Sequence, residues 1–130
     1  MGWGIGIDMI EPSRVKQRLT ANPGLLDELF TPSEQSYCRD QSDPSQHLAA
    51  RFCAKEAVVK ALGVDGWDPL DLEILAGDPA PRVHLLGDIA DRAEALDVDI
   101  SISLTHVPAM AMAIAIAIPR NQSAPRSPGV

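Results

Sequence analysis

The sequence has few of the features that mark secreted, membrane or zinc proteins. Its two cysteines, Cys38 and Cys53, and its three histidines form none of the paired spacings of a zinc site. The longest apolar run, residues 109–118, is about half the length that a membrane span needs. No basic and apolar leader opens the chain. We therefore expect reduced thiols, a cytoplasmic location and no association with a membrane.

Positive charge is also scarce in this sequence. Lysine and arginine number 11 against 18 aspartates and glutamates, which gives a net charge of -7 over 130 residues. This balance argues against a nucleic-acid partner, and an anionic substrate would need a local cluster of basic groups. The length suits one domain with a thin core, which oligomerisation would help to stabilise.

The first third of the chain has the pattern of one strand followed by helices. Residues 3–10 alternate glycine with apolar residues and then place Asp8 among apolar neighbours, which predicts a short buried strand. Proline at position 12 predicts a helix to about residue 20, and residues 25–30 form a helical turn. Thr31-Pro32-Ser33-Glu34 is a capping box, so a further helix begins there.

A long helix is predicted next, because Asp43 can cap its start and Gly63 fits just past its end. The intervening residues, about 19 of them, would span about 28 Å. Apolar residues recur at helical spacing and give this helix a core face, formed by Leu48, Phe52, Val59 and Leu62.

The second half of the chain has the pattern of a sheet with one more helix. Residues 72–75 and 83–86 are short strands, residues 88–96 a helix, and residues 100–104 and 109–118 two strands of strict alternation. The last two strands form a hairpin joined near His106-Val107-Pro108. We predict an α+β domain in which helices cover one face of an antiparallel sheet.

The domain organisation follows from these elements. Residues 1–118 form the domain, and residues 119–130, rich in proline, serine and glycine, form a flexible C-terminal tail. The alanines of the last strand make one face flat, so that a helix backbone or a neighbouring subunit can approach closely.

Several polar residues sit where local structure gives no reason for them. Asp8 interrupts a buried strand, where a carboxylate is costly unless it is paired, hydrogen-bonded, metal-bound or capping the helix near Glu11. Arg51 and Lys55 lie one turn apart on the long helix, as do Glu56 and Lys60.

The long-helix pattern fits two readings. One is a pair of weak surface ion pairs. The other joins Asp8 and Glu56 in a magnesium site beside cations for phosphate, since Mg²⁺ takes one or two carboxylates together with phosphate oxygens and water. His106 is either a histidine whose hydrogen bonds are made within the protein at the hairpin end, or a hydrogen-bond donor to a phosphate.

Taken in order, these segments resemble the holo-acyl-carrier-protein synthase family, the small phosphopantetheinyl transferases. Residues 4–11, followed by Arg14, match the family's G-I-G-x-D motif. Residues 30–34 and 51–63 match its central F-T-x-x-E and R-F-A-x-K-E-A-x-x-K-A-L-G signature, and residues 102–106 match S-L-S/T-H. The resemblance covers nearly the whole chain up to residue 118.

The resemblance implies an enzyme of fatty-acid or related lipid metabolism. It would transfer 4′-phosphopantetheine from coenzyme A to a serine of an acyl carrier protein and release adenosine 3′,5′-bisphosphate. Asp8 and Glu56 would hold Mg²⁺ and Lys60 would contact the phosphates, so these three residues are the expected catalytic group. The base that deprotonates the carrier serine is either Glu56 or water on the metal.

The resemblance also implies the remaining contacts. Arg51 and His106 would lie near the nucleotide and its 3′-phosphate, and Gly63 and Pro81 would also contact coenzyme A. The carrier protein would dock on a basic strip formed by Arg14, Lys16 and Arg18. Members are typically homotrimers with each active site at a subunit interface.

The chain departs from the family pattern at three places. Pro81 lacks the glycine that usually stands two residues before it, Val59 replaces a serine before Lys60, and Val107-Pro108 is apolar where the family is polar. A non-catalytic module that binds coenzyme A or a carrier protein on the same fold is therefore an alternative. A small trimeric ligand-binding protein unrelated to carriers is a third reading.

Overall fold

The computed structural model describes residues 2–122. Within this range short connections join ten principal elements, five strands and five helices, and short 3-10 turns occur at Pro69–Asp71 and Arg120–Gln122. The elements are β1 (Gly4–Ile10), α1 (Pro12–Ala21), α2 (Leu25–Leu29), α3 (Pro32–Arg39), α4 (Pro44–Leu62), β2 (Leu72–Leu75), β3 (Arg82–Leu85), α5 (Gly87–Leu96), β4 (Val98–Val107) and β5 (Met110–Pro119), with the first 3-10 turn between α4 and β2.

The strands form two antiparallel sheets rather than one. The main sheet has the order β1-β5-β4, and β2 pairs with β3 in a separate hairpin. In the main sheet Asp8 lies opposite Ala113, while His106 lies opposite Ala111. The α+β class and the antiparallel pairing agree with the sequence analysis, whereas the division into two sheets was not foreseen.

Helix α4 packs across the flat face of the main sheet. The face consists of small residues, because four of the five inward positions of β5 are buried alanines: Ala111, Ala113, Ala115 and Ala117. β1 meets the helix through Gly4 and Gly6, where a Cβ would overlap the carbonyl oxygens of Ala61 and Ala57. The expectation that a helix backbone approaches the alanine face is confirmed.

The opposite face of the same sheet is open, which corrects the expectation that β1 is buried. Ile5, Ile7 and Met9 are 68%, 56% and 55% exposed. They pair across to Ile116, Ile114 and Met112 of β5, respectively. The alternation of β1 sends its glycines to α4 and its large residues to the uncovered side. We call these six residues the outer face.

The capping predictions for α3 and for the end of α4 are confirmed. Thr31 and Glu34 form the reciprocal capping box, and Gly63 ends α4 with φ of 65° in the left-handed region. Asp43 does not form the expected side-chain cap of α4; its carboxylate accepts a hydrogen bond from the Gln46 amide instead.

The reading of α4 as a helix with two surface ion pairs is wrong. Arg51 and Lys55 are buried, and Lys60 pairs with Asp8 rather than with Glu56. Most of α4 is buried because the sheet, α1, α3 and β2 all pack against it. The helix is therefore a central scaffold, and its residues Arg51 and Lys55 are held inside the protein.

A buried ion pair ties the helices to the second sheet. Lys55 and Glu34 are fully buried, and Lys55 Nζ donates to Glu34 Oε1 at 2.7 Å, to Leu29 O at 2.7 Å and to Pro69 O at 2.8 Å. Glu34 Oε2 accepts from the backbone N–H of Ile74 at 2.8 Å. All three ammonium protons are thus used, and one pair fixes α2, α3, α4 and β2 together.

The C-terminal tail was predicted from residue 119. The described structure continues β5 to Pro119 and adds the short turn Arg120–Gln122. The rest of the predicted tail, residues 123–130, lies outside the described residues. Within the described part of the chain, none of the helices combines the length and apolar character needed to cross a membrane.

Candidate functional site

Asp8 and Lys60 meet at the edge where β1 runs beside α4. Asp8 shares the helix-facing side of β1 with Gly4 and Gly6, so its carboxylate points toward α4. Lys60 Nζ lies 3.3 Å from Asp8 Oδ1 and donates to the carbonyl oxygen of Ile7 at 2.9 Å. Asp8 therefore does not cap the following helix, which begins after Glu11.

Glu56 joins the same cluster from the preceding turn of α4. Burial raises the pKa of Glu56, the negative charge of Asp8 raises it further, and Lys60 opposes both effects. The two acids are thus close enough to repel each other through the protein. Asp8, Glu56 and Lys60, the three expected catalytic residues, are brought together by the fold, and we call them the carboxylate site.

The donors of the carboxylate site suit a divalent cation. Two neighbouring carboxylates repel each other, and a hard cation would relieve that repulsion. Within residues 2–122 no group of three or more histidine, cysteine, aspartate or glutamate side chains is arranged to hold a metal. A cation here would take Asp8 and Glu56 from the protein and phosphate or water oxygens for the rest, as Mg²⁺ commonly does.

Cys53, which was not predicted from the sequence, lies beneath the carboxylate site. Its Sγ is 3.7 Å from the carbonyl oxygen of Ala111. Burial raises the pKa of the Cys53 thiol to about 12, and contacts with Asp8 and the charge of Glu56 contribute further. The spacing could have placed it here, because Cys53 precedes Glu56 by one helical turn.

A second cluster lines a cavity of about 190 Å³ between α3, α4, β4 and the loop before β3. Arg51, Pro81 and His106 all border this cavity, so three residues predicted for nucleotide binding are neighbours. The Arg51 guanidinium lies 4.1 Å from the centre of the Tyr37 ring. Arg51 is only 6% exposed, and its Nε finds no hydrogen-bond partner among the described residues. A buried guanidinium nitrogen of this kind can donate a hydrogen bond to an anion.

Two histidines also line this cavity, which we call the nucleotide cavity after the residues predicted to bind a nucleotide. The rings of His47 and His106 are 4.6 Å apart in an edge contact, and His106 Nδ1 lies 2.8 Å from Gln46 Oε1. Burial lowers the pKa of His47, and the charges of His106 and Arg51 lower it further. Sequence reasoning missed Tyr37, Gln46 and His47. His47 could have been found, since it precedes Arg51 by four residues and shares its helix face.

The carboxylate site and the nucleotide cavity lie on opposite flanks of α4. Arg51 and Glu56 are five residues apart, which places them about 140° apart around the helix axis. The main sheet covers the side of α4 between the two flanks. One copy of the chain thus carries two half-sites that face different ways.

The remaining predicted residues lie near the carboxylate side or at the end of α4. Gly63 terminates α4, and a Cβ there would contact no atom within 4 Å, so its backbone is open to approach. Arg14 and Arg18 stand one turn apart on α1 and are exposed. Lys16 is also exposed, but lies on the other flank of that helix, so the expected basic strip is split.

Arg18 also borders an apolar cavity of about 140 Å³ between α1, α2 and α4. Its wall contains Leu25, Leu29 and Phe52, together with residues of α1. A cation thus stands beside a small apolar depression on this surface.

Comparisons with known proteins point to one family. The family model described as the 4′-phosphopantetheinyl transferase superfamily matches residues 4–116. A protein of Anaeromyxobacter sp. (strain K) named holo-[acyl-carrier-protein] synthase is 42% identical over 100 residues, which cover 73% of this chain and 78% of the relative.

Solved structures share the fold. The ACPS-CoA complex of Chronobacterium ammoniagenes superposes with a TM-score of 0.82 at 22% identity, over 92% of this chain and 99% of the other. The Helicobacter pylori holo-[acyl-carrier-protein] synthase in complex with coenzyme A has a TM-score of 0.73 at 27% identity, over 87% and 98% of the two chains.

Proposed function

Because the chain belongs to the 4′-phosphopantetheinyl transferase superfamily, we propose that it is a magnesium-dependent holo-[acyl-carrier-protein] synthase. It moves the 4′-phosphopantetheine arm of coenzyme A to a serine of an acyl carrier protein and releases adenosine 3′,5′-bisphosphate. The observation that carries the proposal is the carboxylate site, where Asp8, Glu56 and Lys60 converge from two separate elements.

The carboxylate site suits displacement at a diphosphate. Such a reaction needs charge neutralisation and in-line placement of the attacking hydroxyl, and it needs no nucleophile from the enzyme. Mg²⁺ held by Asp8 and Glu56 would act as a Lewis acid toward the diphosphate. Lys60, anchored on the carbonyl of Ile7, holds its ammonium at the rim of the site, where it can contact phosphate oxygens.

The nucleotide cavity binds the other end of coenzyme A in this proposal. Arg51 offers a buried unpaired Nε, and His106 and Pro81 border the same space. The cavity has room for part of a nucleotide only, which fits a phosphate group and its immediate surroundings. The exposed backbone of Gly63 would lie along the arm between the two half-sites.

We propose that the two half-sites are joined between copies of the chain in a homotrimer. They face opposite flanks of α4, so one chain alone does not present them to a single ligand. The outer face is an apolar surface of six residues on β1 and β5 that nothing among residues 2–122 covers. Burial of this face against a second copy would supply the core that a 130-residue chain lacks.

The carrier protein docks on α1 in this proposal. Arg14 and Arg18 present a pair of cations on one face, beside the apolar depression that Arg18 borders. An acidic partner would be steered locally by these charges although the chain as a whole is negative. Lys16 contributes from the other flank.

The test is a transfer assay with intact-protein mass spectrometry. An apo acyl carrier protein incubated with the enzyme, coenzyme A and Mg²⁺ should gain the mass of one phosphopantetheine arm. Glu56→Gln should abolish the gain, whereas Glu28→Gln, on the exposed surface of α2, should retain it. No mass gain with any of several carrier proteins would contradict the proposal. Binding of coenzyme A without transfer would favour a non-catalytic binding module.

A further inference from the structure

A series of hydrogen-bonded polar side chains runs along the edge of the nucleotide cavity. Gln46 Nε2 donates to Asp43 Oδ2 at 2.8 Å, and Gln46 Oε1 lies 2.8 Å from His106 Nδ1. Asp43 directly precedes α4, Gln46 lies in the first turn of that helix, and His106 lies near the end of β4. The three residues link the start of α4 to the main sheet at the point where the cavity opens.

Asp43 sets the direction of the hydrogen bonds that join these three residues. An ionised carboxylate only accepts hydrogen bonds, and the bond from Gln46 is the main reason why the pKa of Asp43 lies below its usual range. The Gln46 nitrogen must therefore face Asp43, and its oxygen must face His106. Because an amide oxygen only accepts, the proton on the His106 ring must sit on Nδ1.

This tautomer leaves His106 unable to donate toward the cavity while it is neutral. In a neutral ring protonated at Nδ1, the other nitrogen, Nε2, carries a lone pair. Among residues 2–122 nothing hydrogen-bonds to Nε2. A phosphate oxygen is also an acceptor, so it gains a hydrogen bond from this nitrogen only after Nε2 takes up a proton.

Charged and polar groups from several elements surround His106 at the cavity. His47 and Arg51 of α4 face the ring, and Tyr37 of α3 borders the same cavity, so two neighbours are basic. The loop before β3 contributes Gly77 and Pro81 to this cavity, whereas its charged residues Asp78 and Arg82 line a neighbouring one. Asp43 reaches His106 through Gln46 and partly offsets the cations.

We propose that Gln46, anchored by Asp43, is a positioning residue that fixes the Nδ1–H tautomer of His106, so that a phosphate entering the nucleotide cavity binds together with one proton at Nε2. The proton comes from solvent and leaves with the product. The inference rests on the proposed function, because it assigns the anion to coenzyme A or adenosine 3′,5′-bisphosphate.

The tautomer is tested first on the free protein, which makes this part independent of any activity. NMR of histidine-labelled protein should show the neutral His106 ring as the Nδ1–H tautomer, with the signal assigned by its loss in His106→Gln. In Gln46→Leu the ring should populate the Nε2–H tautomer. An unchanged tautomer in Gln46→Leu, or an Nε2–H ring in the parent, would overturn the role of Gln46.

Proton uptake is tested by calorimetric titration with adenosine 3′,5′-bisphosphate in buffers of different ionisation enthalpy. Between about pH 7 and 9, where the phosphate keeps its charge, the dissociation constant of the parent should rise with pH by up to about tenfold per unit, because each bound bisphosphate takes up one proton. Gln46→Leu should lose this slope and bind at least as tightly as the parent at the alkaline end, because its neutral ring can donate. Gln17→Leu, an exposed glutamine on α1, is the matched control and should keep the slope.

The outcomes separate the two proposals. A parent protein that binds the bisphosphate without proton uptake would overturn this inference and leave the transferase intact. A protein that binds neither the bisphosphate nor coenzyme A would overturn the proposed function and the uptake with it, while the NMR experiment still decides the tautomer.

Discussion

Replacement of Lys55 by methionine tests the buried ion pair that holds the scaffold together. Methionine has nearly the same length but donates no hydrogen bond, so the variant loses three bonds and leaves Glu34 buried without its cation. Breaking one partner of such a pair costs about 3–5 kcal/mol of unfolding free energy. For a chain of this size that loss corresponds to a drop of about 11–18 °C in Tm.

The matched control is Lys60→Met, the same substitution five residues later on the same helix. The Lys60 side chain is 52% exposed, so its pair with Asp8 contributes at most about 1 kcal/mol. Both variants should be compared by urea unfolding followed by circular dichroism at one protein concentration, because assembly makes apparent stability concentration-dependent. The expected order is a large loss for Lys55→Met and a small one for Lys60→Met.

The pair also has a consequence for the nucleotide cavity. Glu34 holds the backbone of Ile74, and Ile74 borders that cavity. Lys55→Met should therefore weaken binding of adenosine 3′,5′-bisphosphate even at temperatures where the variant is folded. A loss of stability below about 1 kcal/mol, or a loss equal to that of Lys60→Met, would refute the reasoning from buried charge.

Three further outcomes follow from packing and charge. Gly6→Ala should cost about 1–3 kcal/mol of unfolding free energy, because its Cβ would overlap the Ala57 carbonyl, and urea unfolding should show no such loss for Gly2→Ala, which has open space. Cys53, whose pKa is raised to about 12, should resist iodoacetamide at pH 8 in the native protein, and rapid labelling seen by mass spectrometry would contradict its burial. Glu56 has a raised pKa, so its ionised form destabilises the fold above the ordinary range of a glutamate, and the cost disappears as pH falls through that range. Glu56→Gln should thus raise Tm at pH 7 in the absence of metal while abolishing transfer, and an unchanged or lower Tm would contradict this.

The sequence predicted the elements well because local signals were strong. The capping box at Thr31 and Glu34, the glycine after α4 and the strict alternation of β5 each depend on nearby residues only. The outer face was not foreseen. The glycine pattern of β1 shows which side of the strand carries no large side chains, but not whether another element covers the opposite side. The division into two sheets depends on long-range pairing, which periodicity does not encode.

Most residues of the candidate site could be predicted from the sequence, but their arrangement in space could not. Asp8 stood out because an acid among apolar neighbours needs a reason, and Glu56 because it lies one helical turn from Lys60. Cys53 and Gln46 did not, since their importance comes from contacts with β5 and β4 that only the tertiary structure brings about. The position of the two half-sites on opposite flanks of α4 could be worked out from helical periodicity once the face toward the sheet was known.

The central claim is that the carboxylate site of one copy and the nucleotide cavity of another act on one coenzyme A. Co-expression of Glu56→Gln with Arg51→Met, each inactive alone, tests it directly through transfer activity of the purified mixed assembly. Random assembly should restore about a quarter of the parental activity per site, because each site draws one intact half from each of two copies. Mixed assemblies that form but stay inactive would contradict the shared site, and activity in Glu56→Gln alone would contradict the role of the carboxylates.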